Sequence, residues 1–170
     1  MASSSRRQHG FTFIEMVLAI TVMSIVALVG ARLLASGSAS YSAATDSIDT
    51  FAKLRYAMTR MAAEIREADY NGTQYQITMA ANQLVFTKRD LTTVTIATSG
   101  SNVTLGYSSP AVTATLTDQL SSLAFAYYQS NAQTAATSAA NVAYVDVSLA
   151  LSEGGTLYSR RQRIALRDKP

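Results

Sequence analysis

A long run of mostly apolar residues lies near the N-terminus, after the first ten residues. Residues 11–35 are almost entirely apolar, and no charged side chain lies between residues 16 and 31. A helix over residues 11–35 would be about 37 Å long, enough to cross the roughly 30 Å hydrocarbon layer of a bilayer. A domain of this size has little interior in which to hide such a helix on every side. The pattern therefore predicts a membrane-spanning helix.

Residues 36–71 change to the period of an amphipathic helix. Apolar side chains recur at spacings of three and four residues, which places them on one helical face. We expect this face to cover a core, because strands that need a cover follow it directly. Asn71-Gly72 indicates the end of the helix. The apolar stripe consists of Phe51, Leu54, Met58, Met61, Ile65 and Ala68.

The other surfaces of this helix carry charges at helical spacing. Asp49 precedes Lys53, and Arg60 precedes Glu64, by four residues. Opposite charges at this spacing attract each other on a helix. We therefore predict two ion pairs away from the apolar stripe.

Beyond residue 72 the hydrophobic period changes to two, which predicts antiparallel strands separated by turns. In the seventh predicted strand, alternating residues from 143 to 151 are apolar, and Asp146 lies on the opposite face, so we expect one buried face and one exposed face. Residues 130–141 have few bulky side chains and predict a loop. The predicted strands are 75–79, 83–88, 92–98, 102–107, 111–116, 122–129, 142–151 and 157–167.

The composition excludes several kinds of chemistry. The 170-residue chain is 48% hydrophobic and 15% charged, has no cysteine, and has His9 as its single histidine. Disulfides, Cys/His zinc sites, thiol nucleophiles and most imidazole-based catalysis are therefore excluded. Glu64, Glu67 and Asp69 lie close together, but we interpret them as a charged helix surface because nothing resembles a calcium loop. We predict neither an enzyme nor a site for a metal or cofactor.

The charges near the N-terminus point to membrane orientation and processing. Arg6 and Arg7 precede the apolar run, which orients the N-terminus toward the cytoplasm. Glu15 is anomalous, because a carboxylate within an apolar span is costly unless it is neutralised or paired. Cleavage between Gly10 and Phe11 would create an α-amino group about one helical turn from Glu15. The alternative is that Glu15 lies near enough to the membrane interface to contact water.

The sequence RRQHGFTFIE at residues 6–15 resembles the leader of type IV pilins and type II secretion pseudopilins. The resemblance implies that a membrane prepilin peptidase cuts after Gly10 and methylates the new N-terminal Phe11. It also implies that Glu15 forms an assembly salt bridge with an N-terminal ammonium. The apolar segment would first anchor the protein and later pack in the core of a helical filament.

The resemblance also implies an α+β fold of the pilin kind. A long N-terminal helix, half membrane anchor and half amphipathic, would pack on antiparallel β-sheets. The helix and strand patterns favour the same layout independently. The implied segments are a leader at 1–10, an apolar anchor and filament-core helix at 11–35, its amphipathic continuation at 36–71 and a globular β head at 72–170.

Within that family, the chain is most similar to the minor pseudopilins of the J type, also called PilW-like, whose heads carry two small sheets. No proline interrupts residues 11–70 and cysteine is absent, although many major pilins have a helix-kinking proline and a disulfide-closed loop. Glu15 separates the chain from the K-type tip subunit, which lacks that acid. The implied role is a structural subunit at or near the tip of a type IV pilus or type II secretion pseudopilus.

This resemblance further implies a bacterial inner-membrane protein that crosses once, with a cytoplasmic N-terminus and a periplasmic head. The expected partners are the prepilin peptidase, other minor and major pilins or pseudopilins, the inner-membrane assembly platform and membrane lipid.

A conventional signal peptide is an alternative for the N-terminal segment. Gly37 and Ala39 provide small residues for cleavage before Ser40, which would release a soluble protein. Glu15 and the length of the apolar run both argue against this hypothesis, because a signal peptide has an apolar region of about 7–15 residues.

DNA binding is a second alternative, as some filament subunits bind DNA during uptake. Clustered basic side chains suffice for phosphate contacts. Equally, such charges could protect an edge strand from pairing or face an acidic subunit. The basic residues near the C-terminus are Arg160, Arg161, Arg163, Arg167 and Lys169.

Overall fold

The computed structural model describes residues 11–166. The chain divides into two compact units, residues 1–45 and 46–170. A single helix, α1 (Phe13–Ile65), contributes residues to both units. In the first unit, the described residues after Thr12 are all helical.

The second unit contains the end of α1, eight strands and a short 3₁₀ helix at Ala139–Asn141. All eight predicted strands are confirmed, with small shifts at their ends. The strands are β1 (Ile77–Met79), β2 (Leu84–Thr87), β3 (Thr93–Ser99), β4 (Asn102–Ser108), β5 (Ala111–Thr117), β6 (Leu120–Tyr128), β7 (Tyr144–Glu153) and β8 (Thr156–Ala165).

The strands form two antiparallel sheets. A five-stranded sheet has the order β1-β2-β3-β4-β5, and a three-stranded sheet has the order β6-β7-β8. Within each sheet, strands that are consecutive in sequence therefore pair with each other. Short turns join most of these pairs, whereas residues 129–143 connect β6 to β7. Between β7 and β8, Gly154 and Gly155 have φ of 56° and 79°, a backbone that a two-residue hairpin turn requires and glycine adopts easily.

The buried face of α1 and residues from both sheets form one hydrophobic core. Met61 and Ile65 are fully buried, as are Leu84 of β2 and Val147 of β7. The second unit is therefore an α+β fold in which the end of a long helix packs on antiparallel sheets. This confirms the predicted fold class.

The predicted end of the helix at Asn71-Gly72 is wrong. α1 ends at Ile65, because the backbone that follows pairs with the end of β2. The Asp69 amide donates to the Thr87 carbonyl at 2.9 Å. Asn71 instead begins a turn, and its side-chain oxygen accepts hydrogen bonds from the backbone amides of Thr73 and Gln74.

The predicted apolar stripe is confirmed from Leu54 to Ile65 but is wrong at Phe51. Ala68 is buried as predicted, but it lies beyond the end of α1. Phe51 is 56% exposed, because it lies at the edge of the helix–sheet contact. Its ring packs edge-on against Tyr158 of β8 at a centroid distance of 4.9 Å. The stripe therefore covers the core only after its first residue.

Candidate processing and assembly site

The start of α1 positions Glu15. Thr12 precedes the helix, and its Oγ1 accepts a hydrogen bond from the Glu15 backbone amide at 3.3 Å. This is the contact by which a threonine caps a helix N-terminus, and it places Glu15 in the first turn, where a carboxylate is favourable. The Glu15 residue is exposed, and no other described residue forms an ion pair with it. Gly10 lies outside the described residues.

The side chains of the first half of α1, up to Leu34, form an apolar surface around the helix. Phe13, Ile20 and Leu28 are 84%, 62% and 57% exposed, and other large apolar side chains up to Leu34 are exposed as well. Two hydroxyl groups within this stretch have partners on the helix. The hydroxyl of Thr21 donates to the carbonyl four residues earlier at 2.7 Å, as does that of Ser24. The helix can therefore enter an apolar medium without leaving those hydroxyls unpaired.

Among the described residues, α1 is the one helix long and apolar enough to cross a membrane, with a mean hydropathy of 2.4 in its most apolar window. None of that window is buried within the protein. This distinguishes the segment from the core helix of a soluble domain, which is hydrophobic because it is enclosed. The continuous helix also passes through Gly37 and Ala39, the residues of the alternative cleavage site.

The charged residues at the end of α1 form a buried network that the sequence interpretation missed. Glu64 is only 3% exposed. Its Oε1 contacts Arg60 Nη2 at 2.6 Å and accepts a hydrogen bond from the Tyr107 hydroxyl at 2.7 Å. Its Oε2 lies 2.5 Å from Lys88 Nζ, which also contacts Glu67 at 2.8 Å. The network ties α1 to β4 and to the end of β2.

These contacts determine the protonation of Glu64. Burial raises its pKa, but hydrogen bonds from Lys88 and Tyr107, together with the charges of Lys88 and Arg60, outweigh burial and lower the pKa below its usual value. Glu64 is therefore ionised and structural. The predicted pair of Arg60 with Glu64 is confirmed, but its placement on an exposed surface is wrong. Lys53, predicted to pair with Asp49, contacts Asp118 at 2.8 Å.

Asp146 of β7 is buried rather than exposed, because two arginines of the adjacent strand cover it. Arg161 Nη2 and Arg163 Nε lie 2.6 Å from its two carboxylate oxygens. Arg163 also stacks over the Tyr128 ring at 4.6 Å. The hydrogen bond from Arg163 is the main cause that lowers the pKa of Asp146; burial opposes it, and Arg161 adds to it.

The three basic residues of β8 that the structure describes, Arg160, Arg161 and Arg163, therefore do not share one face. Arg161 and Arg163 lie on one face of β8 and neutralise Asp146. Arg160 lies on the opposite face, since side chains alternate along a strand. Arg167 and Lys169 lie outside the described residues. The described arrangement gives DNA binding no specific support.

No group of three or more potential metal ligands occurs among residues 11–166. Glu64 and Glu67 both contact Lys88, so a cation links the two carboxylates. The network could not be predicted from sequence, because it depends on the burial of the Glu64 side chain. That burial is set by how far the sheet covers the helix.

Residues 5–31 match a family model described as the prokaryotic N-terminal methylation motif. The match covers the basic leader, Glu15 and most of the apolar run. The chain thus carries a type IV pilin-like leader on a pilin-like α+β fold. The match supports the type IV pilin and pseudopilin family that the sequence resembles. Comparison with curated proteins gave no match.

The leader and the apolar helix together fit a membrane-anchored protein that crosses once. A leader of this type implies processing by a prepilin peptidase and assembly with other pilins. Pilin-like proteins are generally structural rather than enzymatic.

Proposed function

We propose that this protein is a minor pilin or pseudopilin that joins a type IV pilus or a type II secretion pseudopilus at or near its tip and helps to initiate assembly. The observation that carries the proposal is the position of Glu15. It is the one acid within an otherwise apolar helical surface, and it lies inside the matched methylation motif.

The proposed processing creates the partner of Glu15. Hydrolysis of the Gly10–Phe11 bond gives Phe11 a free α-ammonium, and methylation of that nitrogen keeps its positive charge. Before cleavage the same nitrogen is an uncharged amide, and the leader adds Arg6 and Arg7 beside the apolar surface. Cleavage therefore exchanges charges that obstruct packing for one that Glu15 can bind.

The proposed assembly step follows from the energetics of the anchor. In the bilayer the apolar surface of residues 11–35 contacts lipid, and in a filament it would contact the same surface of neighbouring subunits. Transfer between these environments changes hydrophobic energy little. Polar terms then determine which subunits pair, and the Glu15–ammonium contact between subunits is the strongest available in a medium of low dielectric constant.

The proposed subtype is based on the structure of the β head. Two small antiparallel sheets are typical of the heads of J-type or PilW-like minor pseudopilins. The absence of cysteine, and of proline within residues 11–70, favours a minor pilin or pseudopilin over a major pilin. In this role the leader would stay cytoplasmic, the helix would lie in the bacterial inner membrane, and the head would be periplasmic. Its partners would be the assembly platform and other minor and major subunits, with no catalysis by the protein itself.

Glu15→Ala tests this proposal. The variant should enter the membrane normally, because removing a charge favours insertion, but its recovery in sheared filaments should fall at least about tenfold, since its neighbour's ammonium loses its partner. Asp49→Ala, which removes an exposed acid of the same helix, is the matched control and should assemble normally. Normal recovery of Glu15→Ala in filaments would refute the assembly role.

A further inference from the structure

A groove of about 200 Å³ lies between α1 and β8 in the second unit. Its floor and walls come from three residues of the helix and two of the strand. β8 is an edge strand of the three-stranded sheet, so the groove lies beside a sheet edge that has no further strand among the described residues. The lining residues are Phe51, Leu54, Arg55, Ser159 and Arg160.

The apolar part of the groove is exposed yet held in place. Phe51 is 56% exposed and Ile48, one turn before it on α1, is 67% exposed. The Phe51 ring contacts Tyr158 edge-on. The Tyr158 hydroxyl in turn is hydrogen-bonded to the hydroxyl of Ser47 at 2.8 Å. The exposed aromatic surface is therefore ordered before any partner binds, which lowers the entropic cost of binding.

The charged part of the groove has one sign. Arg55 and Arg160 line it from the helix and from the strand, and both residues are exposed. Neither has a carboxylate of residues 11–166 within ion-pair distance, whereas Arg60, Arg161 and Arg163 all do. The groove thus combines an aromatic floor with two guanidinium groups whose charge is not neutralised by the described chain.

We propose that this groove is a docking site for another protein that presents an apolar side chain flanked by carboxylates. The apolar side chain would pack on Phe51 and Leu54, and carboxylates on either side would accept hydrogen bonds from Arg55 and Arg160. Ordered aromatic residues and arginines are the side chains that dominate binding energy at interfaces, and bidentate Arg–carboxylate contacts add specificity. This surface is separate from the apolar anchor and its Glu15.

Site-specific photo-crosslinking in the producing cells tests the proposal on the full chain. A photoreactive phenylalanine analogue replaces Phe51, and the same analogue at Val112 of β5, which is 52% exposed, is the matched control. We expect Phe51, and not Val112, to capture one protein at a peptide that contains Asp or Glu. Arg55→Glu with Arg160→Glu should lower the yield at least about tenfold, because like charges then face each other. Replacing the mapped Asp or Glu of the partner with arginine should restore the crosslinking yield of the double glutamate variant.

Arg55→Lys with Arg160→Lys controls for folding, because it keeps both charges and loses only the bidentate geometry. Its yield should lie between those of the parent and the double glutamate variant. The proposal is overturned if charge reversal leaves the yield unchanged or if both positions capture the same proteins. It is equally overturned if neither position captures a protein, or if the product is a second copy of this chain or a nucleic acid. Each of those results would assign the groove to another occupant or to none.

Discussion

Two buried carboxylates show how single residues hold the head together. Glu64 and Asp146 are each 3% exposed, and each contacts two basic side chains. A buried charge is tolerable only when its partners replace the water it has lost. In a chain without disulfides, these contacts fix α1 against the first sheet and β7 against β8.

Glu64→Gln should destabilise the protein by about 3 kcal/mol, because Lys88 and Arg60 lose the charge that compensates them. Glu67→Gln is the matched control, since Glu67 also contacts Lys88 but its side chain is 62% exposed; its cost should stay below about 1 kcal/mol. Thermal unfolding of the detergent-solubilised full chain measures both. Equal effects of the two substitutions would mean that burial of Glu64 is unimportant.

The lowered pKa values predict how stability changes with pH. The pKa of Asp146 is lower in the folded protein than in the unfolded chain. Its stabilisation is therefore complete above the unfolded value of about 4 and is lost as the pH falls through the folded value. Asp146→Asn should be less stable than the parent at neutral pH, and this difference should shrink below about pH 4. Denaturant unfolding of both proteins from neutral pH to below about pH 4 measures this difference. A difference in the free energy of unfolding that stayed constant with pH would contradict the account.

At the scale of elements, the local patterns predicted the strands but not the contacts between elements. Period-two alternation and the turn residues between the runs identified all eight strands, because both signals lie in the local sequence. The end of α1 was wrong, since it depends on backbone pairing of Asp69 with Thr87 across the fold. The exposure of Phe51 and the burial of Glu64 likewise depend on how far the sheet extends over the helix, which helical spacing does not reveal.

The corrected stripe makes a prediction for α1. Met61→Ala should destabilise the protein by about 2–5 kcal/mol, because Met61 is fully buried and its truncation leaves a cavity. Phe51→Ala should cost only about 1 kcal/mol, chiefly its ring contact with Tyr158. Chemical denaturation of both variants measures the contrast. If Phe51→Ala were as costly as Met61→Ala, the stripe predicted from spacing would describe the core better than the structure does.

At the scale of the whole molecule, an apolar helical segment and a β head occupy one chain. We propose that cleavage of the leader determines whether the helix stays in the membrane or enters a filament. Of the candidate site, Phe11 and Glu15 could be predicted from sequence because their proposed roles depend on position along the chain rather than on folding, and those roles stay predictions. Asp146 with its two arginines could not be identified in this way, because β8 brings them together only in the folded head.

The mass of the mature N-terminal peptide, taken from the membrane and filament fractions of the producing cell, tests the central claim most directly. The account predicts a chain that begins at Phe11 and carries one methyl group on its α-nitrogen, and a Gly10→Ala variant that keeps its leader and stays out of filaments. A mature chain that begins at Ser40, or one that keeps residues 1–10 within assembled filaments, would contradict the account.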